Sequence, residues 1–277
     1  MTEMELRQQV VRKIKSWEGA QQGGAVHREI INIYNSQAKL PRGVKMTTTL
    51  AWCAATSSAA YIAVGVDQYT GTECSCSKWI ERAQALGIWQ ERDDYVPKLA
   101  DACIYDWQDD KKTYATTDNR GAPDHVGIVT QTGMGAFTVT ERNKGPPGKV
   151  GDRPMQVNGL YIRGFIVPDF AKAARELGGA EADAAIEKLA KLGVINSPDY
   201  WKATVAGGKV KYLDALFIKA ADKIKRTGAR SATVAGGVAA LVAAGVVNSP
   251  DYWMYAAAQV PNVGALLMAL GGAVSVS

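Results

Sequence analysis

Ten residues of this chain are written twice. Leu192-Gly-Val-Ile-Asn-Ser-Pro-Asp-Tyr-Trp201 returns 52 residues later as Ala244-Gly-Val-Val-Asn-Ser-Pro-Asp-Tyr-Trp253, with eight of the ten positions identical. An echo at this spacing marks a duplicated supersecondary unit whose copies bury their apolar faces against each other. The repeated words also say what the unit is made of. Ser197 and Ser249 are N-cap residues by type, and each is followed by proline, whose missing N–H costs nothing at the first helical position. Residues 184–192 carry apolar side chains at helical spacing and stop at Gly193. A third helix is expected over 212–224 in the first copy and 263–270 in the second. Residues 171–277 are therefore expected to form a small all-helical domain of two repeats, about 180–228 and 231–277.

The remainder has a different character. Residues 1–170 hold all four cysteines, both histidines, and 20 basic against 19 acidic residues; residues 171–277 hold 12 basic and 8 acidic. Most of the net charge of +5 thus belongs to the repeats. That excess suits an anionic polymer, but it lacks the dense basic patch of a nucleic-acid binder, so no nucleic acid is expected as partner. Hydrophobic residues at 47% and charged residues at 21% place the chain among globular proteins and exclude disorder and collagen-like repeats. The uncharged stretches 231–250 and 252–277 are rich in Ala and Gly, and Gln259, Pro261 and Asn262 interrupt the second. They read as buried helices, with no membrane insertion. The N-terminus is charged and has no apolar h-region, so no secretory leader is expected and the cysteines are expected reduced.

Chemistry, if present, belongs to 1–170. Helices are expected over 6–17, 27–34, 53–64 (ended by Gly65) and 79–86 (ended by Gly87). Strands follow at 125–130, 136–143 and 160–167, the first two joined through Gly133-Met-Gly135 as a hairpin. Helices first and antiparallel strands afterwards is an α+β pattern. Cys53 falls in the first turn of its helix, where free N–H groups and the helix dipole favour thiolate. A cysteine nucleophile needs an imidazole to take its proton and return it to the leaving group. A hairpin centred near 133 or 134 sets His125 opposite 141–143, and Glu141 and Asn143 share one face of their strand. This delivers a histidine with an orienting carboxylate or amide beside it. The approach of Cys53 to that pair does not follow from strand arithmetic.

Other candidates have plainer readings. His27 lies in an amphipathic helix away from these motifs and is read as structural. Cys74 and Cys76 have a one-residue spacing that fits neither redox nor zinc pairs, and Cys103 is expected buried. Asp106, Gln108, Asp109 and Asp110 faintly resemble a calcium loop, but Lys111 and Lys112 follow where such loops place a flexible glycine. No cofactor is required, and calcium is the one ion considered. Trp201 and Trp253 serve either as core or as platforms for sugar rings.

The motifs Ala51-Trp-Cys-Ala-Ala55, Tyr105-Asp-Trp-Gln-Asp109, Pro123-Asp-His-Val-Gly-Ile-Val129, Glu141-Arg-Asn-Lys-Gly145 and Tyr161-Ile-Arg-Gly-Phe165 occur in that order. Through them, residues 1–170 resemble the CHAP family of cysteine- and histidine-dependent amidohydrolases and peptidases that cut peptidoglycan. The resemblance implies a papain-like fold with Cys53 as nucleophile, His125 as base, Glu141 orienting the imidazole and Asn143 supporting it. Backbone N–H groups at the start of the Cys53 helix would hold the oxyanion. Arg142 stands where related chains often carry glycine, and it joins Trp52, Trp201 and Trp253 as a candidate substrate contact. The repeats resemble C-terminal wall-binding modules of hydrolases from Gram-positive bacteria and their phages. The expected function is peptidoglycan hydrolysis of the endolysin kind, with cytoplasmic accumulation before release to the wall. Its partners would be peptidoglycan and anionic wall polymers such as teichoic acids. An N-acetylmuramoyl-L-alanine amidase and a peptide endopeptidase need the same groups. A papain-like acyltransferase or deamidase acting on proteins, and a non-catalytic wall-binding protein, are the readings from other classes.

Overall fold

A computed structural model of the chain describes residues 2–107, 121–144 and 148–277, including every side chain in those ranges except Asn143 and Lys144. The chain divides into two compact units, 2–173 and 174–277.

The first unit is α+β. Its helices are α1 (Glu3–Lys15), α2 (Ala25–Asn35), α3 (Cys53–Val64) and α4 (Cys76–Ala85). Its strands are β1 (Trp89–Gln90), β2 (Ala102–Tyr105), β3 (His125–Thr132), β4 (Ala136–Lys144), β5 (Lys149–Gln156) and β6 (Ile162–Ile166). They form one antiparallel sheet in the order β1-β6-β2-β3-β4-β5. Helix α3 lies against β3 and β4 and is also packed by α1 and α2. Its residues from Cys53 to Tyr61 are all buried, and only its last turn reaches the surface, at Ala63. An all-round apolar helix belongs at the centre of a fold. Its hydroxyls are paired internally: Thr56 Oγ1 donates to the Trp52 carbonyl at 2.7 Å, and Ser58 Oγ donates to the Glu73 carbonyl at 2.8 Å. Gly65, in the left-handed region at φ 76°, ends it.

Several elements depart from the sequence expectations: β1 and β2 were not expected as strands, and α4 and β5 differ for reasons that can be named. Helix α4 starts at Cys76, three residues before the expected start at 79, because the polar run Ser75-Cys-Ser-Lys hides its first turn from an apolar-periodicity reading. Strand β5 was not expected at all. Its residues Lys149-Val-Gly-Asp-Arg-Pro-Met-Gln156 contain Gly, Pro and three charges; β4 is its one partner among the named strands, at the edge of the sheet, and its first residues also bridge residues 19–21. An edge strand tolerates the proline, whose absent N–H faces no neighbour there.

The second unit is helical. It contains most of α5 (Phe170–Lys191), then α6 (Pro198–Ala206), α7 (Leu213–Lys223), α8 (Val234–Ala243), α9 (Pro250–Gln259) and α10 (Val263–Val274). One apolar cluster holds them together, with Leu189, Trp201, Phe217, Leu241, Trp253 and Leu270 among its members. Each of the two written tyrosines bonds a carbonyl shortly before a later helix. Tyr200 donates to Pro261 O ahead of α10 at 3.2 Å, and Tyr252 donates to Lys211 O ahead of α7 at 3.0 Å. The serine caps need correction. Ser197 and Ser249 occupy the N-cap positions of α6 and α9, but neither side chain makes a cap hydrogen bond. Ser197 sits in the left-handed region at φ 55°, so the following proline sets the helix start there without a hydroxyl cap. No helix among the described residues is long and apolar enough to cross a membrane.

Candidate active site

Cys53 is the first residue of α3, so its sulfur lies beside backbone N–H groups that have no partner within the helix. His125 is the first residue of β3, and Glu141 lies on β4. The ladder pairs Gly127 with Glu141, which makes Glu141 a diagonal neighbour of His125 on the same face. Gly127 is what allows the two to meet. A methyl group there would lie 2.5 Å from Val139 Cγ1 and 2.7 Å from Glu141 Cβ. Without it, the carboxylate settles over the bare strand and brings Oε2 to 3.6 Å from His125 Nε2.

With Nε2 turned to Glu141, Nδ1 is the ring nitrogen left for the thiol. The Cys53 thiol is held well below the ordinary thiol range. Its largest cause is a hydrogen bond from the Cys76 thiol. Burial opposes this, and the His125 imidazole and the Ala54 N–H add to it. Cys76 is pushed the opposite way, first by that same bond and then by burial. Of these two coupled sulfurs, Cys53 carries the thiolate, because it alone also faces the imidazole. The arrangement is a thiol of depressed pKa, an imidazole that helps to lower it and a carboxylate oxygen 3.6 Å from that imidazole.

Glu141 is not an ordinary buried carboxylate. Its Oε1 accepts from Arg153 Nε at 2.7 Å, and Arg153 Nη2 lies 2.7 Å from the same oxygen in an ion pair. Its Oε2 is buried with no hydrogen bond and faces the imidazole. Asp101, also buried, shows the structural alternative. Arg7 Nη1 donates to its Oδ1 at 3.0 Å, while Tyr95 Oη at 2.5 Å and the Lys98 N–H at 2.8 Å donate to Oδ2. One carboxylate is fully spoken for; the other keeps an unbonded oxygen facing a histidine.

Aromatic rings shield the imidazole. Tyr105 and Trp107 stack on each other at 5.0 Å, with His125 ring centroids 5.6 Å from Tyr105 and 5.9 Å from Trp107. Arg153 lies 4.9 Å from the Trp107 ring centroid. Asp124 fixes this cover by accepting the Trp107 N–H at 3.0 Å, which gives the aspartate beside His125 a positioning role.

The other candidates fall as follows. His27 is not remote from the motifs, because its ring packs on Trp52 with centroids 4.0 Å apart, one residue from Cys53. It is buried and accepts the Gly23 N–H at Nδ1, 2.8 Å. Burial and the charges of Arg142 and Arg28 hold its pKa down. Trp52 is 0% exposed and has no face for substrate; as a substrate contact it is withdrawn, and it serves as the plate between His27 and Arg142. The Arg142 guanidinium lies 5.2 Å from the Trp52 ring centroid, and Nη2 donates to Gln22 Oε1 at 3.2 Å. Burial lowers its pKa, while the Cys53 charge acts in the opposite direction, so its cation stands within electrostatic reach of the thiolate.

Trp201 and Trp253 are buried in the helical core, yet an edge of each lines a surface groove. The first groove, about 340 Å³, is lined by Asn196, Ser197, Tyr200, Trp201, Arg230 and Asn262 among others. The second, about 540 Å³, is lined by Asn248, Ser249, Tyr252, Trp253, Tyr212 and Lys219 among others. The Asn143 side chain lies outside the described residues, as do Gln108, Asp109, Asp110, Lys111 and Lys112 of the suggested calcium loop. Among the described residues no cluster of His, Cys, Asp or Glu is arranged to hold a metal ion.

Arg153, Gly127 and Trp107 lie at the site and were given no role from sequence, and Cys76 was weighed only as a partner of Cys74. Gly127 did carry a signal, since a lone glycine inside a strand pattern marks a close approach. Arg153 carried none, because its strand does not read as a strand. Comparison with protein-family models, with curated proteins and with solved structures finds no match to this chain.

Proposed function

We propose that the chain is a peptidoglycan hydrolase in which the first unit cleaves an amide bond by a Cys53 thiolate and the second retains the enzyme on the wall. The observation that supports the reading is the line Cys53–His125–Glu141–Arg153, in which the imidazole lowers the thiol pKa, Arg153 holds Glu141 Oε1, and the unbonded Oε2 lies 3.6 Å from His125 Nε2. The thiolate attacks the carbonyl carbon, and the N–H groups at the start of α3 donate hydrogen bonds to the developing oxyanion. His125 gives its proton to the leaving amine, then takes one from the water that releases the acyl group. Glu141 sets the ring orientation and stabilises the imidazolium. A helix bearing the nucleophile, laid on an antiparallel sheet bearing base and carboxylate, supports the papain-like fold implied by the CHAP resemblance.

The second unit supports retention through its two grooves. Each takes an Asn, Ser, Tyr and Trp from one written copy and one basic side chain, Arg230 or Lys219, from elsewhere. Two similar grooves suit a repeating polymer, because the second contact is made at high effective concentration.

Digestion of purified Gram-positive walls, followed by mass spectrometry of the products, tests the reading. Free glycan strands with intact stem peptides identify an amidase, and shortened peptides identify an endopeptidase. Transfer to an amine acceptor without release from the wall would replace this reading with a protein acyltransferase or deamidase. Binding with no product would leave a wall-binding protein.

A further inference from the structure

The mechanism uses one thiol, but two lie at the site. Cys53 Sγ and Cys76 Sγ are 4.0 Å apart. Each opens a helix, α3 and α4 respectively, so both sulfurs sit where helix dipoles stabilise negative charge on sulfur. Both are free, and both are nearly buried at 8% and 7% exposure, so small oxidants have better access than large ones. The other two cysteines are placed differently. Cys103 is fully buried within β2, and Cys74 is half-buried with Arg42 Nη2 3.6 Å from its sulfur.

We propose that Cys53 and Cys76 are a modification site: a peroxide converts them to an intramolecular disulfide that withdraws the nucleophile, and a dithiol restores it. Closing the gap takes about 2 Å of sulfur movement to reach disulfide bonding distance. In the first step the Cys53 thiolate attacks the O–O bond, giving a sulfenic acid and releasing hydroxide or alkoxide, which takes up a proton. In the second, Cys76 sulfur attacks the sulfenic sulfur, the S–O bond breaks, and the Cys76 proton leaves with the hydroxide as water. The two sulfurs together lose two electrons, and the peroxide gains them. Two exchanges with a dithiol reverse the change. Cys76 thereby spares Cys53 from the irreversible sulfinic and sulfonic states.

The cross-link stands independently of the wall-hydrolase reading; only its effect on lysis rests on that reading. The test treats the full chain with hydrogen peroxide, blocks free thiols and maps peptides without reduction. The expected result is a Cys53–Cys76 peptide pair two hydrogens lighter than the free peptides, lost on dithiothreitol treatment together with recovery of wall lysis. In Cys76→Ser, with folding checked by its melting curve, the same dose drives Cys53 to sulfinic acid and dithiothreitol recovers nothing. A Cys74–Cys76 link overturns the proposal, as does Cys53 sulfinic acid accumulating in the unaltered chain as fast as in Cys76→Ser. A cross-link that forms in a chain unable to lyse walls leaves the modification site standing and removes the wall reading instead.

Discussion

The two units bury different kinds of side chain. Among the described residues, every buried polar or charged side chain lies between Arg7 and Glu141, and the helical unit has none. In 174–277 the interior is apolar, and the polar residues of the written motif, Asn196, Ser197 and Asp199 with their counterparts Asn248, Ser249 and Asp251, face outward. Burying a charge is costly unless it is paired. The first unit bears that cost in two ways: Arg7–Asp101 and Arg42–Glu73 are satisfied ties between segments, whereas Glu141 keeps an unbonded oxygen against a histidine. The first unit keeps charged and polar groups inside, and the second turns those of its repeated motif outward.

The largest expected stability effect lies in the helical unit. Trp253→Ala removes a core ring and should cost about 3–5 kcal/mol. In differential scanning calorimetry this should appear as an earlier transition of the helical unit, with iodoacetamide labelling of Cys53 unchanged. If labelling collapses as well, the two units are not separable in this way.

Arg153→Ala comes next. It removes a hydrogen bond and an ion pair to a buried carboxylate and should cost about 2 kcal/mol, with the loss of lysis exceeding what the loss of folded protein explains. An unchanged kcat in the folded fraction would deny Glu141 its orienting role.

Smaller still are Tyr200→Phe and Tyr252→Phe. Each removes one hydroxyl bond to a carbonyl, worth about 1 kcal/mol, and the two should match within error in urea melts. Unequal losses would break the equivalence of the two written copies.

The pH dependence of Cys53 labelling gives the finest distinction. Because the folded site lowers the thiol pKa, alkylation should stay fast below the ordinary thiol range and slow only as pH falls through the depressed value. Replacing His125 by Ala or Cys76 by Ser should move that midpoint upward. A midpoint that stays put in both variants would mean that neither group holds the thiolate.

Local patterns made part of this legible in the sequence. The α3 helix, its Gly65 stop and the β3–β4 hairpin follow from composition and turn residues, and the hairpin arithmetic brings Glu141 to His125. Contacts between distant segments were not legible. Arg153 reaches Glu141 from an edge strand whose Asp152, Pro154 and Gly151 do not read as β. Trp107 covers the imidazole because Asp124 holds its backbone from 17 residues away. Cys76 meets Cys53 only because two helices begin side by side, which no spacing rule encodes. Trp52 and His27 show the reverse difficulty: an aromatic beside a nucleophile reads as a substrate contact, but packing made it a support.

The central claim is that Cys53 is the nucleophile of a wall amide hydrolase. Its most direct test is the clearing of purified Gram-positive walls by the unaltered chain and by Cys53→Ala, at equal wall-bound protein and with both melting curves recorded. The account predicts that Cys53→Ala binds walls and melts as before but clears them at least about a thousandfold more slowly. Clearing at an undiminished rate by Cys53→Ala would contradict it.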